Sequence, residues 1–209
     1  MPEPVTKQDI EKGVDPTVAR QWDETTTVAD KFKDFYEIAD KLKVCLMGTK
    51  RSGVGPVHRS MAVARRTGPD FLFLANNHSQ KFKDLEDGSP VSLTFQNSSN
   101  QDWVSITGKA TTASNSDPRI KEIWSRASSV WFGDVGDGVH DGSPDDPRMT
   151  LIEVKPTYIS YWKSTVSAIG FAKEVIGANL TGGVPNNGDL RQMHEQDIND
   201  ARARDSKLS

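Results

Sequence analysis

The sequence predicts a mainly β protein in which antiparallel strands are flanked by a few helices. The first indication is a series of short apolar or alternating runs that follow one another closely between residues 43 and 110. The second is that tight-turn sequences rich in glycine and proline separate these runs, as at 53–56 and 67–70. Closely spaced strands with such turns pair antiparallel. The third is that two stretches have apolar residues at the 3.6-residue spacing of a helix.

Length and composition indicate one folded domain. A chain of 209 residues can bury one good core, and we predict that residues 28–177 form it. A polar N-terminal arm, 1–27, and a polar C-terminal tail, 178–209, are expected on either side. The net charge of -3, without a run of Lys or Arg, argues against binding to nucleic acid. One cysteine cannot form an internal disulfide, and no apolar run approaches the roughly 20 residues that span a membrane, so we expect a cytoplasmic protein.

The first predicted element is an amphipathic helix that begins after Thr27. A threonine followed three residues later by Asp30 is typical of a helix start. Its apolar residues recur at helical spacing, at Phe32, Phe35, Ala39 and Leu42. We expect this helix to cover one end of the strands.

Six strands are predicted to follow, in a simple antiparallel meander. Their apolar or alternating runs are 43–49, 57–65, 71–76, 91–95, 103–110 and 149–155, the last continued by 157–162. A short helix is predicted over 80–85. A second helix is predicted with Asp117 as N-cap and Pro118 at its first position, and a last helix over 166–176.

Arg59 is the first candidate binding residue, because it lies on an apolar strand face. Alternation in the run 57–63 places it on the same face as Val57, Met61 and Val63. A guanidinium buried there without an ionised partner would cost several kcal/mol. The partner is either a bound anion or a carboxylate of the protein, and the sequence leaves both alternatives open.

The turn after the third strand supplies the second set of candidates. The strand ends at Asn76, and the start of the short helix offers unpaired amide groups. Ser79 and Lys81 add a hydroxyl and an ammonium group. Together with Arg59 they predict a phosphate cradle. In the alternative interpretation, Asn77 or Ser79 only caps the helix and Lys81 is only solvated.

Several common catalytic motifs are missing from the sequence. It has no His-Glu-x-x-His and no paired Cys-x-x-Cys, so no metal site is predicted. It also has no Gly-x-Ser-x-Gly nucleophile elbow and no Gly-x-Gly-x-x-Gly dinucleotide motif. The loop at 133–147 is rich in Asp and Gly but lacks the residue spacing of a calcium-binding EF-hand, and we predict an exposed loop.

The motifs around Arg59 and Lys81 resemble those of a known family. A strand with His58-Arg59-x-Met61, a second strand ending in a polar turn, and Ser79-x-Lys81 opening a helix are similar to the FMN-binding split barrels related to pyridoxamine 5'-phosphate oxidase. The resemblance is to their general stress protein branch, which includes the fungal blue-light-inducible proteins. It extends from about residue 29 to residue 177 and implies an antiparallel, six-stranded split β-barrel.

The same resemblance implies a flavin site at the interface of a homodimer. Arg59 and Lys81 would hold the phosphate of FMN, aided by Ser79 and Gln80, and strand-edge backbone groups would line the flavin ring. Trp162 would form a wall contributed by the second subunit. The implied flavin-binding residues are Arg59, Ser60, Met61, Leu74, Ala75, Asn76, Ser79, Gln80, Lys81 and Trp162. Gln80 stands where many relatives of the oxidase carry arginine, which implies a lower affinity, and FAD in place of FMN is left open.

The implied function is that of a flavoprotein with a stress- or light-response role. It is either a flavin-dependent oxidoreductase with a small-molecule electron donor or acceptor, or a flavin-binding or carrier module without turnover. A third alternative is a barrel with an empty cradle that binds a partner. Typical pyridoxamine 5'-phosphate oxidase activity is not expected. The resemblance implies that this reaction needs further cations for the phosphate of its substrate, and the C-terminal stretch offers only Arg191, Arg202 and Arg204 in a polar tail. No catalytic residue is predicted.

Overall fold

The computed structural model describes residues 15–166, 168–181 and 183–206. Its eight strands are β1 (Val44–Arg51), β2 (Gly55–Ala62), β3 (Arg65–Thr67), β4 (Asp70–Asn76), β5 (Val91–Gln96), β6 (Trp103–Ala113), β7 (Met149–Ser164) and β8 (Gly188–Met193). Its helices are α1 (Pro16–Gln21), α2 (Val28–Leu42), α3 (Lys81–Leu85), α4 (Arg119–Ile123), α5 (Arg126–Ser129), α6 (Ala168–Thr181) and α7 (Glu195–Asp205).

The strands form one sheet with the order β2-β1-β5-β6-β7-β4-β3, and β8 pairs with β7. All of these pairs are antiparallel, so the prediction of a mainly β antiparallel fold with flanking helices is confirmed. The six predicted strands correspond to β1, β2, β4, β5, β6 and β7, and β3 and β8 are additional. The predicted meander was wrong, because β1 pairs with β5 and β4 pairs with β7. The short helix α3 carries the chain from β4 to β5 and contacts β1 on the way.

A bend between β2 and β3 joins the two ends of the sheet. The amide of Val63 donates to the carbonyl of Lys43 at 2.9 Å, and the next amide, that of Ala64, donates to Leu72 at 2.9 Å. Two consecutive residues therefore bond to opposite sides of the sheet, one to the residue that precedes β1 and the other to β4. On either side of the bend, one edge of β2 and one edge of β4 at residues 73–76 pair with no described strand. The sheet is thus split here and does not close into a continuous barrel.

Helix α2 packs its apolar face into the core of the sheet, and the buried residues follow the spacing from which the helix was predicted. The hydroxyl of Thr27 accepts a hydrogen bond from the amide of Asp30 at 3.2 Å, which caps the helix start. Phe32 and Phe35 are fully buried, and the ring of Phe35 lies edge-on to the ring of Phe71 in β4. These contacts fix the helix against the strands that carry the candidate site.

The predicted second helix is divided into α4 and α5. Asp117 does accept a hydrogen bond from the amide of Arg119 at 2.9 Å, as expected of a helix start. At Trp124 the backbone becomes extended, with ψ of 142°, and the indole donates to the carbonyl of Gly142 at 2.9 Å. Ser125 then caps a new turn. The predicted last helix corresponds to α6, which continues to residue 181.

Both chain ends pack on the sheet within the described residues. Only one helical piece was expected beyond residue 177, but β8 pairs with β7 and α7 buries Ile198 and Ala201 completely. Ion pairs, more than apolar residues, hold these two segments to the sheet. Their composition is therefore polar, which is why the sequence indicated an arm and a tail. The predicted domain boundaries themselves stay predictions.

Arg191 of β8 is the centre of these ion pairs. Its side chain is 9% exposed and contacts three carboxylates, those of Asp23, Asp34 and Asp189. The bond to Asp23 measures 2.6 Å and the bond to Asp189 measures 2.9 Å. Asp34 lies in α2, so one guanidinium ties the N-terminal segment, the core helix and the last strand together.

We expect Arg191→Gln to lower the free energy of unfolding by about 3 kcal/mol, because it removes a buried cation from three partly buried carboxylates, of which only Asp34 keeps another cation among the described residues, Lys163. Urea denaturation followed by circular dichroism measures this loss. Arg126→Gln is the matched control, since Arg126 is exposed and forms no ion pair with a described residue. Equal stability of the two variants would contradict the central role of Arg191.

Candidate functional site

Arg59 lies on the inner face of β2, opposite Met47 of β1, and its guanidinium is held by three groups. Nη1 donates to Thr49 Oγ1 at 2.7 Å and to the carbonyl of Met47 at 3.2 Å. Nη2 donates to Asp84 Oδ2 at 3.0 Å. A guanidinium has five N–H donors. The Nε hydrogen and one Nη2 hydrogen of Arg59 therefore have no acceptor among the residues that the structure describes.

Asp84 of α3 is a buried carboxylate shared by two arginines. Its side chain is 2% exposed. Arg51 Nε and Nη2 donate to its two oxygens, each at 3.0 Å, and Thr49 Oγ1 donates to Oδ2 at 2.9 Å. The hydrogen bonds from Arg51 lower the pKa of the Asp84 carboxyl; burial opposes this lowering, and the bond from Thr49 adds to it. The carboxylate alternative for Arg59 is thus what the structure shows, but one carboxylate balances only one of the two guanidinium groups.

Lys81 adds a third positive charge to this cluster. The residue is half-buried, and its Nζ donates to Ser79 Oγ at 2.8 Å. Burial lowers the pKa of Lys81, and the positive charge of Arg59 lowers it further. Lys81 lies three residues before Asp84 in α3, and Asp84 bonds to Arg59, so the helix brings the lysine to the same cluster. No salt bridge connects Lys81 to a carboxylate in the described ranges. The cluster of three cations and one carboxylate therefore has a local charge of +2.

The helix start contributes less than the sequence indicated. α3 has five residues, and Gln80 is its N-cap without a side-chain capping bond. Asn77 instead donates through Nδ2 to the carbonyl of Pro147 at 3.0 Å, and the hydroxyl of Ser79 is engaged by Lys81. The expectation that Asn77 or Ser79 caps the helix was wrong. Because so short a helix has only a weak dipole, the cradle depends on its side-chain cations.

The predicted ring-lining residues lie on the two edges that the split exposes. Ser60 and Met61 belong to β2, which is an end strand of the sheet. On one side, β7 pairs with Leu74, Ala75 and Asn76 of β4. On the other side, the pairing of β4 with β3 covers only residues 70–72, so it does not extend to these three residues. Both edges therefore retain backbone groups that no described strand pairs with.

Trp162 lies elsewhere, in a position that favours packing. Trp162 is 8% exposed, and its indole N–H donates to Gln21 Oε1 at 3.0 Å. A side chain at Gly188 of β8 would collide with the ring, so that strand lies directly against it. Its assignment to a flavin wall stays a prediction that would require this ring to be uncovered. By contrast, Trp131 is 79% exposed.

Sequence reasoning missed Thr49, Arg51 and Asp84, although signals for them exist. Thr49 and Arg51 follow Met47 at two-residue spacing, so all three side chains share the inner face of β1. Asp84 follows Lys81 by three residues in a helix and so lies near it. Periodicity locates these faces, but it does not indicate that α3 turns its carboxylate towards β1.

Other parts of the described chain offer no comparable site. The histidines, aspartates and glutamates in these ranges form no group that could hold a metal ion. None of the described helices combines the length and apolar character that a membrane crossing requires. The arrangement therefore defines one class of protein, a split antiparallel sheet with a cationic cradle beside the split.

Comparison with known proteins identifies the family. The sequence model of the family described as "Pyridoxamine 5'-phosphate oxidase like" matches residues 30–186. The chain is 32% identical over 195 residues to protein bli-3 of Neurospora crassa, an alignment that covers 92% of this chain and 93% of that protein. The chain belongs to the pyridoxamine 5'-phosphate oxidase-like family, as the motif resemblance indicated.

Solved structures show the same fold at low sequence identity. A protein related to general stress protein 26 from Clostridium acetobutylicum has a TM-score of 0.57 at 13% identity, covering 81% of this chain and 97% of that chain. A pyridoxamine 5'-phosphate oxidase-related, FMN-binding protein from Nostoc punctiforme has a TM-score of 0.51 at 11% identity, covering 67% and 85%. The split arrangement expected from the resemblance is thereby confirmed, with eight strands in place of six.

The shared carboxylate predicts a pH-dependent stability. We expect Asp84→Asn to lower the free energy of unfolding at pH 7 by about 2–3 kcal/mol, the value of charge-assisted hydrogen bonds. Since the folded-state pKa of Asp84 is depressed, its contribution is present above the unfolded value of about 3.9 and is lost as the pH falls through the folded pKa.

Urea denaturation of the wild type and Asp84→Asn at a series of pH values tests this prediction. The stability difference should narrow as the pH falls below about 4, the range in which the unfolded carboxyl is protonated. Glu86→Gln is the control, because Glu86 is exposed at the end of the same helix and forms no ion pair with a described residue. A difference between wild type and Asp84→Asn that stays constant down to acid pH would contradict this assignment.

Proposed function

We propose that this protein binds FMN and that Arg59, Lys81 and Ser79 hold its phosphate. The observation that carries the proposal is the local charge of +2 at a half-buried place, where Arg59 keeps two N–H donors and Lys81 lacks a carboxylate partner. A phosphate monoester is close to a dianion at neutral pH. Its charge therefore matches that of the cradle, and its oxygens match the available donors.

The flavin ring is proposed to lie at the split, against the backbone of Ser60 and Met61 on one edge and residues 74–76 on the other. A second copy of the chain would cover the open side, which gives a homodimer with flavin at the interface. Bound flavin supplies hydride or electron transfer. The protein groups at these edges would orient the ring and hydrogen-bond to it. FAD remains a second ligand to be tested.

Four further expectations belong to this proposal. The fold shared with a protein related to general stress protein 26 supports a stress-related role. The light-response role and the cytoplasmic location are proposed from the sequence resemblance and composition alone. A small-molecule electron donor or acceptor is the partner that flavin chemistry requires.

Typical pyridoxamine 5'-phosphate oxidation does not fit the C-terminal arginines. That reaction needs cations for the phosphate of its own substrate, yet the three candidates already have carboxylate partners. The pairs are Arg191 with Asp23, Asp34 and Asp189, Arg202 with Asp70, and Arg204 with Asp205. Because these arginines are engaged in ion pairs within the fold, they are not available to a second phosphate. This supports an activity other than pyridoxamine 5'-phosphate oxidation.

A flavin-binding module without turnover is the second candidate function. The five residues proposed to line the ring are Ser60, Met61, Leu74, Ala75 and Asn76, and none of their side chains titrates near neutral pH. Such a lining holds a flavin and tunes it by hydrogen bonds, but it supplies no proton donor to a substrate. This observation favours a carrier or an oxidoreductase limited to hydride or electron transfer.

Flavin reduction separates these two functions. If the protein is an oxidoreductase that uses a nicotinamide donor, anaerobic NADH or NADPH should bleach the absorbance of bound FMN much faster than that of free FMN. A stopped-flow absorbance measurement checks this. Bound flavin that keeps its oxidised spectrum with both donors would favour the module.

The phosphate assignment predicts a selective loss of affinity. We expect Arg59→Ala and Lys81→Ala each to weaken FMN binding by about 1.5–3 kcal/mol, or tenfold or more, because each removes a charge-assisted bond. Riboflavin, which has no phosphate, should bind the variants and the wild type equally. Flavin fluorescence titration measures both ligands, with FAD in parallel.

Lys83→Ala is the matched control, since Lys83 is exposed on the same helix. It should bind FMN like the wild type. Unchanged FMN affinity in both Arg59→Ala and Lys81→Ala would remove the phosphate assignment, and a colourless protein that takes up no added FMN would support the empty-cradle alternative.

A further inference from the structure

We propose that Thr49, acting with Asp84, is a positioning residue that holds Arg59 in the orientation that binds phosphate. This inference rests on the proposed function of FMN binding. It assigns a role to a buried hydroxyl that the proposed ligand does not touch. Thr49 is 3% exposed, so any effect of its side chain on ligand affinity would pass through a neighbouring residue.

The hydroxyl of Thr49 closes a ring of hydrogen bonds that includes two nitrogen atoms of the Arg59 guanidinium. Its Oγ1 accepts from Arg59 Nη1 at 2.7 Å and donates to Asp84 Oδ2 at 2.9 Å. The same carboxylate oxygen accepts from Arg59 Nη2 at 3.0 Å. Because the guanidinium is planar, two anchored nitrogen atoms fix the orientation of the whole group.

The ring decides which donors of Arg59 remain for a ligand. Thr49, Asp84 and the carbonyl of Met47 engage three N–H groups. Because Thr49 and Asp84 bridge the Nη1–Nη2 edge, the remaining two donors, on Nε and Nη2, share the other edge, which can bind an oxyanion through two parallel bonds. A fork held in this way before binding loses less side-chain freedom when phosphate arrives.

Arg51 completes the support from the other side. It binds both oxygens of Asp84, at 3.0 Å each, and so prevents the carboxylate from rotating away from Thr49. The side chain of Asp84 is 2% exposed, so solvent does not compete for these bonds. Thr49 is thus the neutral member of the support, and its removal changes no charge.

Thr49→Val tests the inference, because valine fills the same volume without the hydroxyl. We expect FMN affinity to fall about tenfold, as for loss of a hydrogen bond to a charged group, with riboflavin affinity unchanged. Thr49→Ser keeps the hydroxyl and should bind FMN like the wild type. In an Arg59→Ala background, Thr49→Val should have no further effect, since the two residues then act as one unit.

Three measurements separate the outcomes. Thermal unfolding without ligand checks that each variant folds, and Thr49→Ala carries the same expectation if Thr49→Val does not fold. Thr94→Val, on the neighbouring strand β5 and away from Arg59, is the matched control.

An unchanged FMN-to-riboflavin affinity ratio in Thr49→Val, or a further loss in the Arg59→Ala background, would overturn the positioning role. Equal binding of FMN and riboflavin by the wild type would overturn the cradle itself and this inference with it.

Discussion

The carboxylate of Asp84 is the interaction on which the rest of the site depends. Arg51 and Arg59 lie on neighbouring strands, and both guanidinium groups donate to the same oxygen, Asp84 Oδ2, at 3.0 Å, so they are close enough to repel each other. Placing them together without an anion would cost several kcal/mol. Asp84 supplies that anion from α3, and the same contacts draw the helix onto the sheet. Since Lys81 is the first residue of this helix, the ion pair that stabilises the strands also brings the third cation to the same end of the sheet.

Ion pairs also explain how the polar chain ends become part of the fold. α7 has few apolar residues, yet Arg202 reaches Asp70 at the start of β4, and Tyr36 of α2 donates to Asp205 at 2.8 Å. A segment held by such bonds has the composition of a tail, yet α7 buries Ile198, Ala201 and Asp205. Average hydrophobicity therefore underestimates how much of this chain is folded, and long-range charge pairing makes up the difference.

The elements that sequence reasoning located were those whose signal is local. The spacing of Phe32 and Phe35 marks α2, and alternation around Arg59 marks an inward-facing charge. The missed features depend on residues that are distant in sequence. Nothing near Arg59 indicates that its partner is Asp84, 25 residues later, because that choice depends on where α3 meets β1. That Arg59 would meet the short helix could thus be predicted, and the carboxylate through which they meet could not.

The geometry of the split relates the cradle to the proposed ligand. Arg59 lies four residues before the bend at which Val63 bonds to one end of the sheet and Ala64 to the other. Near the cradle, the guanidinium is fixed by bonds from β1 and α3, whereas the edges of β2 and β4 keep unpaired backbone groups. The proposed ligand, with a charged end and a flat, hydrogen-bonding end, matches these two environments, because the cations would hold its phosphate and the open edges would face its ring. The split between these two edges therefore begins on β2, the same strand that carries Arg59 of the charge cluster.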